Sequence, residues 1–269
     1  MANPDLSIIT LTYNSEGTVK ALLDSIKKSP DKLNKEVIVI DNHSQDDSVI
    51  VAKNHPLKPK IIQMPINAGF SKAVNRGIES ATGKYIFLLN PDTKIMGNCL
   101  ALLYSYAQNH PHLGALAPRL FFPDGKPQAS VFHFPNIVNA IRQYFLNIPN
   151  SFTKYLPENK TQPVDVAVMA ALFIPRSVLS QVGNLDERFF MYYEDIEFCR
   201  RLKKANLPVI YLPAAKVMHL HGASGKFKSH LDSPLLASAR TYHGVTYSNI
   251  LNLVLFLGQK WQKLLKKIR

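Results

Sequence analysis

The chain has 269 residues, of which 46% are hydrophobic, 10% aromatic and 19% charged. These fractions are typical of a packed globular protein and exclude a disordered chain, a collagen-like chain and a small disulfide scaffold. The formal net charge of +13 is unevenly spread, because nine Lys and Arg residues follow position 215 against the single acid Asp232. Such a basic tail predicts contact with an anionic surface, either lipid head groups or nucleic acid.

Cysteine usage and the N-terminus bear on the compartment. Cys99 and Cys199 stand far apart without a CxxC spacing, so the sequence predicts neither a disulfide framework nor a zinc site. Residues 1–10 lack the basic region and the long apolar run of a secretory signal. We therefore expect a cytoplasmic protein in a reducing environment.

Short apolar runs alternate with amphipathic stretches through the first hundred residues. The apolar runs predict strands over residues 6–11, 36–40, 60–63 and 85–89. The stretches between them predict helices over residues 18–28, 47–53 and 71–80. This alternation is typical of right-handed βαβ units. The sequence thus predicts an α/β fold with a mixed, mostly parallel central sheet flanked by helices.

The second half of the chain is less regular. Asp124 and Gly125 predict a hairpin turn between residues 120–122 and 130–132. Residues 136–163 show no period and predict an inserted or mobile loop. The remaining patterns predict strands over residues 164–174, 209–212 and 216–220 and a helix over residues 194–205.

The C-terminal tail combines an apolar run with a basic amphipathic segment. Residues 250–257 are apolar but fall short of the ~20 residues that span a bilayer. After them, apolar residues recur at helical spacing, with basic residues on the other face: Trp261, Leu264, Leu265 and Ile268. This pattern predicts a helix that lies in a membrane interface with a tryptophan anchor. The alternative is a C-terminal helix whose apolar stripe packs on the domain.

Polar side chains follow four of the predicted strands. They are Thr12-Tyr13-Asn14, Asp41-Asn42-His43-Ser44, Asn67-Ala68-Gly69-Phe70 and Asn90-Pro91-Asp92. Ligands of open parallel sheets bind at the carboxyl ends of the strands. We therefore expect these groups to meet at one edge of the sheet and to form a ligand site there.

Two aspartates at this edge have competing interpretations. A carboxylate at Asp41 suits the ring N–H of a pyrimidine base or a ribose hydroxyl, although it also suits a helix N-cap for the segment after Ser44. Asp92 follows Pro91, which stiffens the turn, and one carboxylate plus substrate phosphates is enough to hold Mg²⁺ or Mn²⁺. The alternative for the Asn-Pro-Asp sequence is an ordinary turn.

Two further groups in the second half of the chain carry chemistry. Glu194 and Asp195 follow an aromatic run, whose low dielectric raises the pKa of a carboxyl toward that of a general base. The alternative is that the two acids stabilise a helix N-terminus through the macrodipole. His219 and His221 share one face of a strand, either as metal ligands or, as is commoner for a lone histidine, as structural groups.

Several site classes lack their sequence signatures. The chain contains neither GxGxxG nor GKS/T, which argues against a dinucleotide site and a P-loop. It also shows no RRM, KH or helix-turn-helix signature, so nucleic acid is not expected as a partner.

The segments SIITLTYNSE, VIVIDNHSQDDS, NAGFSKAVNRGI, YIFLLNPDT, FFMYYEDIEFCRR and HLHGAS, in this order, resemble family 2 glycosyltransferases with the GT-A fold. The resemblance covers residues 5–225, and LLNPD, NAGFSKAVNRG and HLHGAS together are similar to the rhamnosyltransferase-type branch. It implies an inverting transfer of a sugar from a nucleotide-diphosphate donor, dTDP-L-rhamnose in that branch, to a glycan or polyprenyl-diphosphate-linked acceptor. A UDP-hexose donor and a non-catalytic sugar-nucleotide-binding component remain alternatives.

The resemblance also implies roles for individual residues. Asp195 matches the catalytic base, with Glu194 beside it. Asp92 and His219 match ligands of a divalent cation, Mg²⁺ or Mn²⁺, and His221 is a less favoured alternative to His219. Asn90 replaces the first acid of the family's DxD motif, which weakens the expected affinity for the metal. The residues expected to contact the nucleotide sugar are Thr12, Asn14, Asp41, Asn67, Gly69, Asn75, Arg76 and Asn90.

The resemblance completes a domain prediction. We expect a glycosyltransferase domain over residues 1–230, with a nucleotide-binding half over 1–100 and an acceptor half over 101–230. Residues 231–269 are then a basic amphipathic extension. Because acceptors in this branch are carried on polyprenyl diphosphate, the extension predicts peripheral association with the inner face of the cell membrane.

Overall fold

The structure is a computed structural model that describes residues 3–220 and 234–268. Its strands are β1 Leu6–Thr12, β2 Lys35–Asp41, β3 Lys60–Gln63, β4 Tyr85–Leu89, β5 Thr93–Met96, β6 Ala115–Phe121, β7 Pro127–Gln128, β8 Val131–Phe132, β9 Gln162–Val164, β10 Val166–Ala167, β11 Ala171–Pro175 and β12 Val209–His219. Its helices are α1 Glu16–Lys27, α2 Ser48–Lys53, α3 Phe70–Ser80, α4 Cys99–Asn109, α5 Ile137–Tyr144, α6 Arg176–Val182, α7 Glu194–Lys204, α8 Pro234–His243 and α9 Val245–Ile268.

The central sheet has the strand order β3-β2-β1-β4-β11-β6-β12-β5. Strands β3, β2, β1 and β4 run parallel, β11 lies antiparallel between β4 and β6, and β12 runs parallel to β6. Strands β1, β2, β4, β6 and β12 therefore point in one direction, and their carboxyl ends lie at one edge of the sheet. This topology confirms the predicted mixed, mostly parallel sheet.

Alternation along the strands builds an apolar core on each face of the sheet. Ile38 and Ile40 of β2 face the cluster formed with α3, α6 and α7, whereas Val37 and Val39 face the cluster formed with α1 and α4. Successive strand residues point to opposite faces, and a sheet covered on both sides needs apolar residues at every position. The unbroken apolar runs of β1, β2 and β4 follow from this double burial.

The second half departs from the predicted elements in several places. Residues 209–219 form the single strand β12, with a register shift between Leu212 and Lys216, because Pro213 interrupts the ladder without ending the strand. Residues 164–174 divide among three short strands. The predicted hairpin at Gly125 is present, but its second arm is Pro127–Gln128, whereas Val131–Phe132 pairs with β10.

The prediction of an inserted or mobile loop over residues 136–163 was wrong for residues 137–144, which form α5. The Asn136 side chain accepts a hydrogen bond of 2.8 Å from Asn139 N and begins the helix. Helix α5 packs against α9. Gly258 of α9 approaches so closely that a Cβ there lies 2.6 Å from Tyr144 Cβ.

Helix α9 packs on the domain with one face and leaves a second face open. The packed face includes Leu251 and Gly258, and Gln262 donates hydrogen bonds of 2.9 Å to Tyr144 O and 2.7 Å to Asn147 Oδ1. Trp261 and Leu264 are exposed. Across the described residues, no helix is both long and apolar enough to traverse a bilayer.

Candidate active site

The polar groups predicted at strand ends lie at one edge of the sheet. Thr12 ends β1, Asp41 ends β2, and His219 ends β12, while Asp92 follows β4. His219 pairs with Thr93 of β5, and Leu220 N donates to Asp92 O at 3.0 Å. The parallel arrangement of these strands therefore brings residues from four distant parts of the chain to the same edge.

Asp41 is held by the loops around it. The Thr12 hydroxyl donates a hydrogen bond of 3.1 Å to Asp41 Oδ1, and Ser44 N donates one of 3.1 Å to Oδ2. Only 3% of Asp41 is exposed. The N-cap interpretation was wrong, because α2 begins at Ser48 and Asp47 occupies its N-cap position. Two donors thus fix the orientation of this carboxylate at the strand end.

Asn14 joins the loops that follow β1 and β2. Its backbone N–H donates to Ser44 Oγ at 3.0 Å, and its Oδ1 accepts from Gln45 N at 2.8 Å. The residue has a φ of 51°, in the left-handed region that asparagine tolerates better than most residues. Asn14 is therefore hydrogen-bonded to the loop that follows Asp41, and its contact with a nucleotide sugar stays a prediction.

Asn67 and Gly69 are organised by Asn42, which the sequence places at the end of a predicted strand but to which no individual role was given. Asn42 Nδ2 donates to Asn67 Oδ1 at 2.8 Å, and Asn42 Oδ1 accepts from Ala68 N at 2.9 Å. Asn67 Oδ1 also accepts from Gly69 N at 3.1 Å. An amide directly after a strand end was the available signal, since its donor and acceptor can link two loops.

Gly69 is required by both its conformation and its surroundings. Its φ is 82°, and a Cβ at this position lies 2.5 Å from Phe190 O. The next residue, Phe70, donates a hydrogen bond of 2.6 Å from its backbone N–H to the same carbonyl. The close approach at Gly69 is thus to the aromatic loop that precedes Asp195.

Asn75 and Arg76 are engaged elsewhere on α3. Asn75 Nδ2 donates to Leu185 O at 2.8 Å, and its Oδ1 accepts from Leu185 N at 3.0 Å. Arg76 is exposed and pairs with Glu79 at 2.9 Å. The structure does not bring their side chains into the hydrogen-bonded cluster around Asp41, so their contact with a nucleotide sugar stays a prediction.

The Asn90–Asp92 segment is both a turn and a carrier of a buried carboxylate. Asn90 O accepts hydrogen bonds from Thr93 N at 3.2 Å and from Thr93 Oγ1 at 2.7 Å, and Asn90 N donates to Ala170 O at 2.9 Å. This tight turn leaves Asp92 only 5% exposed. The turn interpretation and the ligand interpretation therefore describe the same geometry.

Asp92 and His219 form a pair suited to a hard divalent cation. His219 Nε2 lies 3.4 Å from Asp92 Oδ1, and that oxygen has no hydrogen-bond partner among the described residues. Oxygen and imidazole ligands suit Mg²⁺ and Mn²⁺. No group of three or more His, Cys, Asp or Glu in the described ranges can hold a metal. A cation here needs further ligands, such as phosphate oxygens. His221 lies outside the described residues.

Glu194 and Asp195 open α7. Asp195 Oδ1 accepts a hydrogen bond of 2.8 Å from Ile196 N, whereas Glu194 Oε2 is buried without a partner in the described ranges. The helix N-terminus therefore contacts Asp195, in agreement with the macrodipole interpretation, but Glu194 Oε2 has no hydrogen-bond partner among the described residues.

Burial dominates the acidity of this pair. It raises the pKa of Glu194 to about 8, with a further rise from the charge of Asp195. Burial also raises the pKa of Asp195 to about 6, while the positive charge of Lys154 opposes the rise at both groups. At neutral pH the pair therefore combines a protonated Glu194 with an ionised Asp195, which is the state that a general base needs. Lys154 lies in the segment that sequence analysis assigned to an irregular loop.

The loop that presents Asp195 is conformationally strained and clamped by α8. Tyr192 and Tyr193 have φ values of 69° and 66°, which bulky residues rarely adopt. Ser238 of α8 donates a hydrogen bond of 2.8 Å to Met191 O, and the Tyr193 ring lies 5.4 Å from the Tyr242 ring. Such strain persists where packing over-determines the backbone, as at many catalytic loops.

Comparison with known proteins places these observations in a family. Residues 7–182 match the family model for glycosyl transferase family 2. This range includes the strand ends from Thr12 to Asp92 and stops before Glu194, Asp195 and His219.

Three curated relatives illustrate the similarity. The N-acetylglucosaminyl-diphospho-decaprenol L-rhamnosyltransferase of Mycobacterium tuberculosis is 27% identical over 246 residues, which cover 84% of this chain and 80% of that protein. The dTDP-rhamnosyl transferase RfbF of Shigella flexneri is 26% identical, with 99% and 84% covered. The low-salt glycan biosynthesis hexosyltransferase Agl10 of Haloferax volcanii is 29% identical, with 80% and 67% covered.

Solved structures show the same fold. GalNAc-T7, crystallised with UDP, GalNAc and Mn²⁺, has a TM-score of 0.67 at 15% identity over 88% of this chain, which spans 47% of the GalNAc-T7 chain. TarS residues 1–349 from S. aureus has a TM-score of 0.57 at 21% identity, with 80% of this chain and 60% of that chain covered. These neighbours have the GT-A fold. The family match over 176 residues and this shared fold show that the chain belongs to glycosyl transferase family 2 and is a glycosyltransferase.

Proposed function

We propose that the protein is an inverting glycosyltransferase that transfers L-rhamnose from dTDP-L-rhamnose to a glycan or polyprenyl-diphosphate-linked acceptor in surface polysaccharide synthesis. One observation carries the proposal. The sheet edge holds an oriented carboxylate, Asp41, and a buried Asp92–His219 pair, and the Phe70–Phe190 hydrogen bond ties the loop before Asp195 to the same edge. These groups suit the nucleotide, the diphosphate with its cation, and the acceptor hydroxyl, respectively.

Donor binding is assigned to the strand ends. Asp41, held by Thr12 and Ser44, accepts the N3–H of the pyrimidine. In this proposal, backbone and amide groups around Asn14, Asn67 and Gly69 also contact the donor at this edge of the sheet, and Asn90 lies next to the diphosphate. Asn75 and Arg76 belong to this proposal as residues near the sugar, although their observed partners lie on α3 and at Leu185 and Glu187.

Asp92 and His219 would hold a divalent cation against the donor diphosphate. When bound, such an ion supplies Lewis-acid stabilisation of the negative charge that develops on the leaving nucleoside diphosphate. The unpartnered Asp92 Oδ1 supports this assignment. Replacement of the first DxD acid by Asn90 leaves a single carboxylate among the residues that would hold the ion, so a bound nucleotide would have to supply further ligands.

Asp195 carries the acid–base step. Its ionised carboxylate takes the proton of the acceptor hydroxyl while that oxygen attacks the anomeric carbon. The bond from this carbon to the diphosphate oxygen breaks, and its electron pair leaves with the nucleoside diphosphate. A single displacement of this kind inverts the anomeric configuration, and no second protein carboxylate is needed as an acid. Glu194, protonated at neutral pH, leaves the charge of the pair on Asp195.

The names of two relatives favour rhamnose as the transferred sugar. Thymine and uracil present the same N3–H to Asp41, however, and a third relative is named a hexosyltransferase. A UDP-hexose donor is therefore the second candidate.

The acceptor and membrane assignments rest on the C-terminal helix. One relative is named for a decaprenol-linked substrate. Exposed apolar side chains run along α9, and the nearby turn after α5 adds further ones: Ile250, Leu253, Leu257, Trp261, Leu264, Leu146 and Ile148. The sequence carries no acid after Asp232 and none between Gly125 and Pro157. A surface that is apolar, basic and free of acids suits the cytoplasmic face of an anionic membrane.

The test is a donor panel with two readouts. Thermal stabilisation by dTDP-L-rhamnose and by UDP-hexoses is measured with and without Mn²⁺, and transfer is followed with a polyprenyl-diphosphate-linked GlcNAc acceptor. We expect selective stabilisation by dTDP-L-rhamnose and product of inverted configuration. Selective stabilisation by a UDP-hexose overturns the donor assignment alone. If the protein binds a donor but neither transfers the sugar nor hydrolyses the donor, the result favours a non-catalytic sugar-nucleotide-binding protein.

A further inference from the structure

Gln128 is a buried polar residue that the proposed reaction does not use. Only 3% of it is exposed. Its Oε1 lies 2.7 Å from His219 Nδ1, whereas its Nε2 has no hydrogen-bond partner in the described part of the chain. Buried side-chain amides are normally satisfied at both ends, so within the described residues the contact with His219 is the polar contact that orients this amide.

Strand pairing fixes the position of Gln128 relative to His219. Leu120 of β6 pairs with Gln128 of β7 on one side and with Val217 of β12 on the other. The hairpin that returns the chain is closed by Gly125, whose φ of 82° is in the left-handed region, and by a hydrogen bond of 2.8 Å from Phe122 N to Lys126 O. Two residues that are 91 positions apart are therefore held by three adjacent strands.

The contact with Gln128 determines which ring nitrogen of His219 carries hydrogen. A carboxamide oxygen only accepts hydrogen bonds, so Nδ1 donates and Nε2 of the neutral ring keeps its lone pair. That lone pair lies 3.4 Å from Asp92 Oδ1, which has no hydrogen-bond partner among the described residues. Asp92 Oδ1 thus faces an electron-pair donor in a buried space, and a cation bound by both atoms would satisfy this oxygen.

We infer that Gln128 is a positioning residue for the divalent cation: its Oε1 holds the His219 ring in the tautomer and orientation in which Nε2 and Asp92 bind the ion together. The inference rests on the proposed function, since it requires the Asp92–His219 cation site. Hydrogen bonds of this kind fix the ring of a ligating histidine and raise its basicity, and their loss typically lowers metal affinity by about 10- to 100-fold.

The experiment measures Mn²⁺ binding in the presence of dTDP or UDP, by calorimetry and by pulsed EPR. Gln128→Met keeps the length of the side chain but removes the acceptor, and Gln128→Glu keeps an acceptor oxygen. Ser130→Ala is the matched control, because Ser130 is buried near Gln128 and its hydroxyl has no partner in the described ranges. We expect Mn²⁺ affinity to fall by about 10- to 100-fold in Gln128→Met alone.

The EPR signal separates a positioning role from a structural one. Coupling of Mn²⁺ to a histidine nitrogen should be present in wild type, Gln128→Glu and Ser130→Ala, absent in His219→Ala and weakened in Gln128→Met. If Gln128→Met does not fold, Gln128→Asn, whose shorter side chain withdraws the acceptor, takes its place. Wild-type coupling that persists unchanged in the folded Gln128 variant overturns the role of Gln128 alone. Absence of nitrogen coupling in wild type refutes the cation site, and this inference with it.

Discussion

The backbone N–H of Phe70 donates a hydrogen bond of 2.6 Å to the carbonyl of Phe190, so the start of α3 and the loop before Asp195 are held together. Gly69 makes this contact geometrically feasible, because any Cβ at its position lies within 2.5 Å of the Phe190 carbonyl oxygen. The loop proposed to bind the donor and the loop before the proposed base Asp195 therefore share one fixed junction.

Gly69→Ala tests this junction. The substitution adds both an unfavourable φ and a clash with backbone, so we expect a loss of stability of about 1–3 kcal/mol and weaker donor binding. Gly97→Ala is the control, since Gly97 has a φ of 53° and nothing within 4 Å of an added Cβ. Thermal melts and donor titrations compare the two. Equal losses in both variants show that the Phe190 contact has no special importance.

The pH dependence of transfer should follow the ionisation of Asp195. Because burial raises the pKa of Asp195 to about 6, kcat/KM should rise with pH through about 6 and then level off. Lys154→Met removes the positive charge that opposes this rise, and it should move the midpoint upward. Asp195→Asn should lower kcat by about 10²- to 10⁴-fold with donor binding retained. A profile that is flat between pH 5 and pH 7, or near-normal turnover in Asp195→Asn, contradicts the assignment of the base.

Glu194 should make the protein less stable as pH rises, whereas most carboxylates, whose pKa is lowered by folding, make it more stable. Burial raises the pKa of Glu194 from 4.5 to about 8, so between these values the folded protein retains a proton that the unfolded chain has released. The free energy of unfolding therefore decreases as pH rises through this window. Glu194→Gln has no proton to lose, and its melting temperature should rise relative to wild type as pH increases toward 8. Glu79→Gln, at an exposed position, is the control, and its melting temperature should differ from that of wild type by the same amount at every pH. If the melting temperature of Glu194→Gln also differs from wild type by a constant amount, the Glu194 carboxyl is not buried.

The apolar runs of β1, β2 and β4 made the first half of the fold predictable. A strand buried on both faces needs an unbroken apolar run, and the ends of such runs are readable to within a residue or two. The positions of Asp41 and Asp92 at one edge then followed from the parallel direction of these strands.

The remaining features depend on partners distant in sequence. The apolar residues of α5 recur at helical spacing, but the helix spans only eight residues and packs against α9, about a hundred residues later. Gln128 lies two residues beyond a turn, and only the pairing of β6 with both β7 and β12 brings it to His219. The effect of Lys154 on the acidic pair likewise arises from the tertiary structure.

The open face of α9 should bind anionic vesicles. Trp261 and Leu264 are 42% and 49% exposed, and Lys260 and Lys263 lie on the same helix. Each lysine near an anionic surface contributes about 1 kcal/mol, so the double variant Lys260→Gln, Lys263→Gln should bind phosphatidylserine vesicles roughly 30-fold more weakly. Trp261→Ser, Leu264→Ser should also lose binding in a sedimentation assay, and added salt should weaken the wild type.

Ile50→Ser provides the matched control for the vesicle assay, because Ile50 is 55% exposed on α2 and belongs to neither α5 nor α9. We expect this variant to bind vesicles like the wild type. Sedimentation without lipid determines whether the same face instead joins two copies of the chain. A wild-type dimer that Trp261→Ser, Leu264→Ser dissociates, together with vesicle binding that neither substituted pair changes, identifies α9 as a subunit interface and rules out its role at the membrane.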